Sequence, residues 1–364
     1  MRPTWIEIDL EAIRHNTAAI AAAVAPARVC AVVKADGYGH GDVPTAEAAL
    51  AGGASWLAVA LVSEGARLRE AGVEGPILLL SEPFPEEVSG IVRWDLIPTV
   101  YRPDFVEALA AAAPPGYPVH LKVDTGMHRV GAPPEEAASI AALVGDRGLT
   151  LQGMWTHFTS SESDPGFTAE QAESLAGVVA AAEARGMVPE MLHAANTAAA
   201  LGAPGTRLDM VRVGIGLYGL APRPDLGAGL GLRPAMRVVS HVAFLQRLPA
   251  GARPSYGRTR ALPAAATVAT VPIGYADGVP RRLAAAGGKV LIGGRRYPFA
   301  GAVTMDQALI DVGDDPVAVG DEVVLLGAQG EEQITAEEWS GRLGTITYEI
   351  VCGFGPRMPR RYRG

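Results

Sequence analysis

Cys30-Ala31-Val32-Val33-Lys34 is a short run, apolar until it closes on a lysine. Seven more apolar runs follow, at 56–60, 77–80, 96–99, 119–123, 151–155, 192–194 and 210–213. Between them lie Ala-rich amphipathic stretches near 9–24, 43–51, 63–71, 84–91, 102–112, 134–144, 168–185 and 196–201. The runs have strand length and the stretches have helix periodicity. Strands that alternate with helices pair in parallel through crossovers. Eight such units match the size of a (β/α)8 barrel, with an open doubly wound sheet as the alternative.

Beyond residue 222 the texture changes. Residues 223–234 are rich in Pro and Gly and read as a linker. Alternating segments follow at 236–248, 267–273, 289–299, 308–312 and 322–326, bounded by turn residues. They predict a mostly-β domain over 235–364 after a barrel over 9–222. Residues 1–8 also alternate and are read as a strand available to either domain.

The chain has 364 residues, 49% hydrophobic, with a net charge of −8. That excludes a disordered chain and argues against a nucleic-acid or anionic-membrane partner. No apolar run is long enough for a transmembrane helix. Acids at Glu7 and Asp9 sit where a secretory signal needs an apolar stretch, and two cysteines offer no disulfide framework. A cytoplasmic protein is expected, with no metal site.

Of 31 basic residues only Lys34, Lys122 and Lys289 are lysine. Arginine cannot form a Schiff base at neutral pH, so each lysine calls for a chemical reason. Lys34 closes the first strand, where partial burial favours the neutral amine that attacks an aldehyde. Lys289, after Gly287-Gly288, reads as a turn residue. Barrel chemistry sits at the C-terminal ends of the strands. There the sequence places Lys34, then Lys122, Asp124 and Arg129, then His157, Asn196-Thr197 and Arg212. Gly214-Ile215-Gly216-Leu217-Tyr218-Gly219 fits a dinucleotide fingerprint, but Pro222 and Pro224 follow where a helix and an acid are required. Asp124-Thr125-Gly126 has no second copy to share a proton with, as an aspartic protease needs.

The chain resembles the alanine racemases, fold-type III enzymes dependent on pyridoxal 5′-phosphate (PLP). The matching segments are 33–41, 122–131, 156–158, 193–199, 211–220, 255–257, 273–278, 303–307 and 348–349. They span nearly the whole chain in one order. The resemblance implies a PLP-binding (β/α)8 barrel followed by a mostly-β C-terminal domain. It also implies a homodimer whose active site is shared between subunits. The implied reaction interconverts L-alanine and D-alanine, supplying D-alanine for peptidoglycan.

By the same resemblance, Lys34 would hold PLP as a Schiff base and then exchange the Cα proton on the D-face. Tyr256 of the partner subunit would serve the opposite face. Arg212, supported by His157, would meet the pyridine nitrogen. Tyr38, Thr197 and the backbone of Gly214 and Ile215 would hold the phosphate, with Asn196 beside them. Arg129 and the Met305 backbone would take the substrate carboxylate. Tyr275, Arg281, Glu162 and Asp306 would line the channel by which substrate arrives. Lys122 matches a lysine that is often carbamylated in the family. Pro356 departs from the family pattern, standing where many members have a tyrosine that narrows the pocket. A broader racemase acting on serine is therefore the alternative. A non-catalytic PLP carrier is another, against which the C-terminal β domain argues.

Overall fold

The computed structural model describes residues 2–223 and 225–364; Met1 and Pro224 of the linker segment lie outside them. The strands along the chain begin with β1 (Trp5–Asp9), β2 (Arg28–Val32), β3 (Trp56–Val59), β4 (Ile77–Leu79) and β5 (Thr99–Val100). Next come β6 (Pro118–Lys122), β7 (Thr150–Trp155), β8 (Met191–His193) and β9 (Met210–Val213). The described residues divide into two compact units.

The larger unit, residues 11–37 and 41–233, is a closed parallel barrel. Two four-stranded sheets, β4-β3-β2-β9 and β5-β6-β7-β8, supply its wall. Backbone bonds join them at both seams. Leu79 N–H donates to Ile97 O and Ile97 N–H to Ile77 O, both at 2.9 Å. Across the other seam, Asp209 N–H donates to Leu192 O at 3.1 Å and Arg212 N–H to Ala195 O at 2.9 Å. β3 is buried at every position, which is why it reads as a continuous apolar run, and β9 is equally buried with Arg212 as its one charged residue.

Helices follow their strands and bury one stripe each; Leu10–Val24 turns Ile13, Ile20 and Val24 inward. The helix expected from 168 starts earlier and runs Pro165–Glu183. Asp164 caps it by accepting from Phe167 N–H at 2.9 Å, and Pro165 takes the first helical position. The segment read as a linker is packed at its ends. Leu226 is buried, and Asn16 both accepts from Arg233 N–H and donates to Arg233 O.

The smaller unit comprises residues 1–10, 38–40 and 234–364. Its strands are β10 (Met236–His241), β11 (Phe244–Leu248), β12 (Ala266–Val271), β13 (Lys289–Ile292), β14 (Arg295–Pro298) and β15 (Ala308–Gly313). They end with β16 (Glu322–Gln329), β17 (Glu332–Ile334) and β18 (Arg360–Arg363). One sheet has the order β14-β13-β16-β10-β1-β18, with β17 on β16; a second is β11-β12-β15. β1 pairs antiparallel with β10 and parallel with β18.

Two expected single segments are each two strands. The 289–299 run folds back at Gly293-Gly294, whose φ values of 57° and 73° suit a tight hairpin turn. The 236–248 run is divided between the two sheets. Lys289 therefore opens β13, opposite Pro298, and is not a turn residue. Helices Ala336–Leu343 and Thr347–Cys352, and strands β17 and β18, lie beyond the expected elements.

Candidate active site

Lys34 follows β2 and is half-buried. The turn after it is left-handed: Ala35, Asp36, Gly37 and Tyr38 all have φ between 52° and 58°. Each non-glycine there costs about 1–2 kcal/mol, and strain of this kind collects at functional sites. Glu64 holds the turn in place. One of its carboxylate oxygens accepts from Ala35 N–H at 2.7 Å, and the other from Ala60 and Leu61 N–H. Sequence reasoning passed over this turn, because only Gly37 among the four advertises a positive φ.

Arg212, at the end of β9, is buried. Its Nη2 donates to Thr156 O at 2.8 Å and Ala194 O at 2.9 Å, and lies 3.3 Å from His157 Nδ1. Its Nη1 meets His193 Nδ1 at 2.8 Å. The guanidinium lies over the Trp155 ring at 4.4 Å, and Lys122 Nζ lies 5.0 Å from the same ring. Trp155 in turn stacks on His193. Burial pushes Arg212 down to about 10, still charged at neutral pH.

Burial, then the charges of Arg129 and Arg212, push Lys122 down to about 7, with Asp124 opposing. His157 is held well below its ordinary range by burial and by Arg212, Lys122, Arg129 and Lys34 together. Four basic side chains thus act on one imidazole at the barrel's C-terminal rim. Arg129 itself is exposed.

Two of the expected cofactor residues make hydrogen bonds of their own. The Gly214 amide donates to Thr197 Oγ1 at 3.0 Å and so aims that hydroxyl. Asn196 caps the helix Thr197–Gly202 by accepting from Ala199 N–H and from Ser161 Oγ, so its oxygen is committed to structure. Ile215 is fully buried beside them. Glu162 lies on the loop after β7, its carbonyl bonded to Arg223.

The remaining residues belong to the smaller unit. Tyr38, nine-tenths buried, faces Tyr348 with ring centroids 6.1 Å apart, and burial raises its phenol pKa. Gly39 is required here: a Cβ would sit 2.5 Å from Val351 O. Tyr256 stands on a short turn and is 73% exposed. It shares a cleft of about 480 Å³ with Arg260, Arg281 and Phe299. Arg281 and Tyr275 line a second cleft of about 380 Å³. Tyr275 N–H donates to Thr304 O and Ala276 N–H to Met305 O, each at 3.0 Å. Gly274 permits that approach, since a Cβ there would lie 2.3 Å from Met305 O. Arg357 donates to Asp306 at 2.7 Å, and Pro356 is exposed in the preceding turn.

Residues 8–222 match the family model for the alanine racemase N-terminal domain, and residues 235–362 that for the alanine racemase C-terminal domain. The chain belongs to the alanine racemase family. It is 44% identical to an alanine racemase of Desulfovibrio desulfuricans over 99% of this chain and 98% of that one. It is 43% identical to one of Symbiobacterium thermophilum, covering 100% and 98%. It superposes on the crystal structure of alanine racemase from E. faecalis with a TM-score of 0.93 at 38% identity, covering 100% and 98%. The C-terminal match removes the ground for reading the chain as a single-barrel PLP carrier.

Sequence reasoning missed His120 and His193 as parts of this alanine racemase site. Their signal was parity: His120 is two residues before Lys122, so both point into the barrel. Burial pushes His120 down to about 3 and holds His193 well below its ordinary range, Arg212 adding to both.

With His157, three imidazoles are thus neutral in the fold, while the unfolded chain protonates them near 6.5. Their stabilisation is complete above about 6.5 and is lost as pH falls from there towards the folded values, about 3 for His120. The slope is about 1.4 kcal/mol per pH unit per histidine, or about 4 for three. Urea midpoints should fall steeply below about pH 6.5; midpoints that stay level down to pH ~5 would mean the imidazoles are charged in the fold.

Proposed function

We propose that this protein interconverts L-alanine and D-alanine with PLP, using Lys34 and the partner's Tyr256 as bases on opposite faces. The observation that carries the reading is the cluster of Lys34, Lys122, Arg129 and Arg212 acting on His157 at the barrel rim. Arg129 and Arg212, standing with the two lysine amines, suit a ligand that carries a phosphate and a substrate that carries a carboxylate. Lys34 supplies the amine that an aldehyde requires, and Thr197, aimed by Gly214, a hydroxyl for a phosphate oxygen. The residues present fit PLP. When bound, PLP withdraws electrons from the substrate's Cα–H bond and makes that hydrogen acidic.

Lys34 takes or returns the Cα proton on one face, and Tyr256 does so on the other. Two bases are needed because one alone returns the proton to the side it left. Arg212 donates to the ring nitrogen of the cofactor and keeps its proton, since about 10 is still far above neutrality. Tyr38 and the Ile215 amide belong to the phosphate contacts in this reading. Arg129 and the Met305 backbone take the carboxylate. Tyr275, Arg281, Glu162 and Asp306 form the approach.

Tyr256 is 73% exposed on the single chain, which supports a homodimer in which another subunit covers it. A Lys122 amine held near 7 is half neutral at physiological pH, as carbamylation by CO₂ requires. A ¹³C-bicarbonate NMR signal that survives Lys122→Arg would refute that part. The same reading has the enzyme act in the cytoplasm and its D-alanine feed peptidoglycan; complementation of a D-alanine auxotroph tests this.

The deciding experiment is chemical. Borohydride should fix PLP onto Lys34 of the yellow protein, and the labelled protein should be inactive. A reduced adduct on Lys122 or Lys289 instead would sink the assignment. An amino-acid panel in the same assay shows whether Pro356, which has no donor N–H, widens the substrate range to serine.

A further inference from the structure

Arg212, His193, His120 and Gln152, from β9, β8, β6 and β7, form one hydrogen-bonded row inside the barrel. Arg212 Nη1 is 2.8 Å from His193 Nδ1, and His193 Nε2 is 2.8 Å from His120 Nδ1. His120 Nε2 is 3.4 Å from Gln152 Oε1. The guanidinium fixes the direction, because it has only donors. His193 Nδ1 must accept, so its proton is on Nε2. That proton goes to His120 Nδ1, which leaves His120 protonated on Nε2 towards the Gln152 carbonyl oxygen. Reversing either of the two buried links, Arg212–His193 or His193–His120, would set two N–H groups or two lone pairs face to face where no water can repair the fault.

The backbone is shaped for this row. In the β6–β7 pairing Val119 faces Leu151 but His120 faces Gly153, so Gln152 is the extra residue of a bulge. Bulges re-aim side chains. Gly153 clears room for the imidazole: a Cβ there would lie 2.4 Å from His120 Nδ1. Both imidazoles are fully buried, and burial keeps both neutral. Arg212 acts on both imidazoles and is the one cation of the row.

We propose that His120 is a positioning residue for Arg212, acting through His193 to aim the guanidinium by a one-directional chain. This rests on the reading that Arg212 meets the cofactor ring. Nitrogen-15 NMR of histidine-labelled protein should show both residues protonated on Nε2 alone, with and without PLP. An Nδ1–H signal from either overturns the chain.

Two variants separate positioning from space-filling. His120→Phe removes the acceptor for His193, whereas His120→Asn keeps one near Nδ1. Both alter the ring contact with Trp56, at 5.3 Å, so both should lower the melting temperature. Only His120→Phe should weaken PLP binding, by roughly ten-fold for an orphaned buried donor, and shift the absorption band of the bound cofactor. Its racemisation should fall in kcat more than in KM. Equal PLP affinity and equal bands for the two variants would mean that His120 only fills space. Arg212→Lys tests the underlying reading. A cofactor band left unmoved by it removes Arg212 from the cofactor and the positioning role with it, while the nitrogen spectra still judge the row.

Discussion

Tyr256→Phe should lower racemisation by roughly 10²–10⁴-fold, the loss typical of a positioned acid or base. The substitution removes one hydroxyl from a residue that is 73% exposed, so the fold and the Lys34 side should survive. The informative result is an asymmetry. Lys34 can still take the proton from D-alanine and return one to the same face. Exchange of the α-proton of D-alanine with D₂O should therefore persist well above the residual racemisation. Exchange from L-alanine should nearly vanish, because its face has lost its base. Proton NMR in D₂O follows both enantiomers. Equal loss for the two would mean that one base serves both faces, and the two-base assignment would be dropped.

The second large effect is a recovery. Lys34→Ala and Tyr256→Phe should each be nearly inactive alone. If the site combines Lys34 of one subunit with Tyr256 of the other, a mixed dimer has one site carrying both lesions and one carrying neither. Mixing the two proteins under conditions that allow subunit exchange should restore activity, up to half that of the unaltered enzyme in each hybrid. Native mass spectrometry establishes that hybrids have formed. Hybrids without activity would show that Lys34 and Tyr256 of a single chain serve the same site.

Much of the fold was legible because each barrel strand announces itself locally. A strand buried on both faces is largely apolar, and eight such runs between helices leave few arrangements. The helix begins at Pro165, three residues before the apolar stripe, because Asp164 caps it and Pro165 fits the first helical position. The hairpin at Gly293-Gly294 was read as one segment although paired glycines are a strong turn signal. The C-terminal helices are short, and their anchors Trp339, Ile350 and Val351 reveal a stripe only once neighbouring elements are in place.

At the site the same division holds. Lys34, Arg129, His157 and Arg212 could be picked out because each is a reactive side chain at the end of an apolar run or on the loop that follows one. The committed oxygen of Asn196 and the occupied amide of Gly214 could not, because their partners come from other loops.

The sequence by itself determined the alternation that makes a barrel, the scarcity of lysine that singles out Lys34, and the rim on which the reactive groups stand. These are properties of residues and their spacing. Only the tertiary structure decided the left-handed turn after Lys34, which Glu64 secures from the helix Val62–Glu70 that follows β3. It alone also decided the row from Arg212 to Gln152, assembled from positions 212, 193, 120 and 152 on four strands. The physical reason is that a buried donor must find its acceptor wherever the closed barrel brings one. That choice is made by packing across the chain and leaves no mark in local sequence.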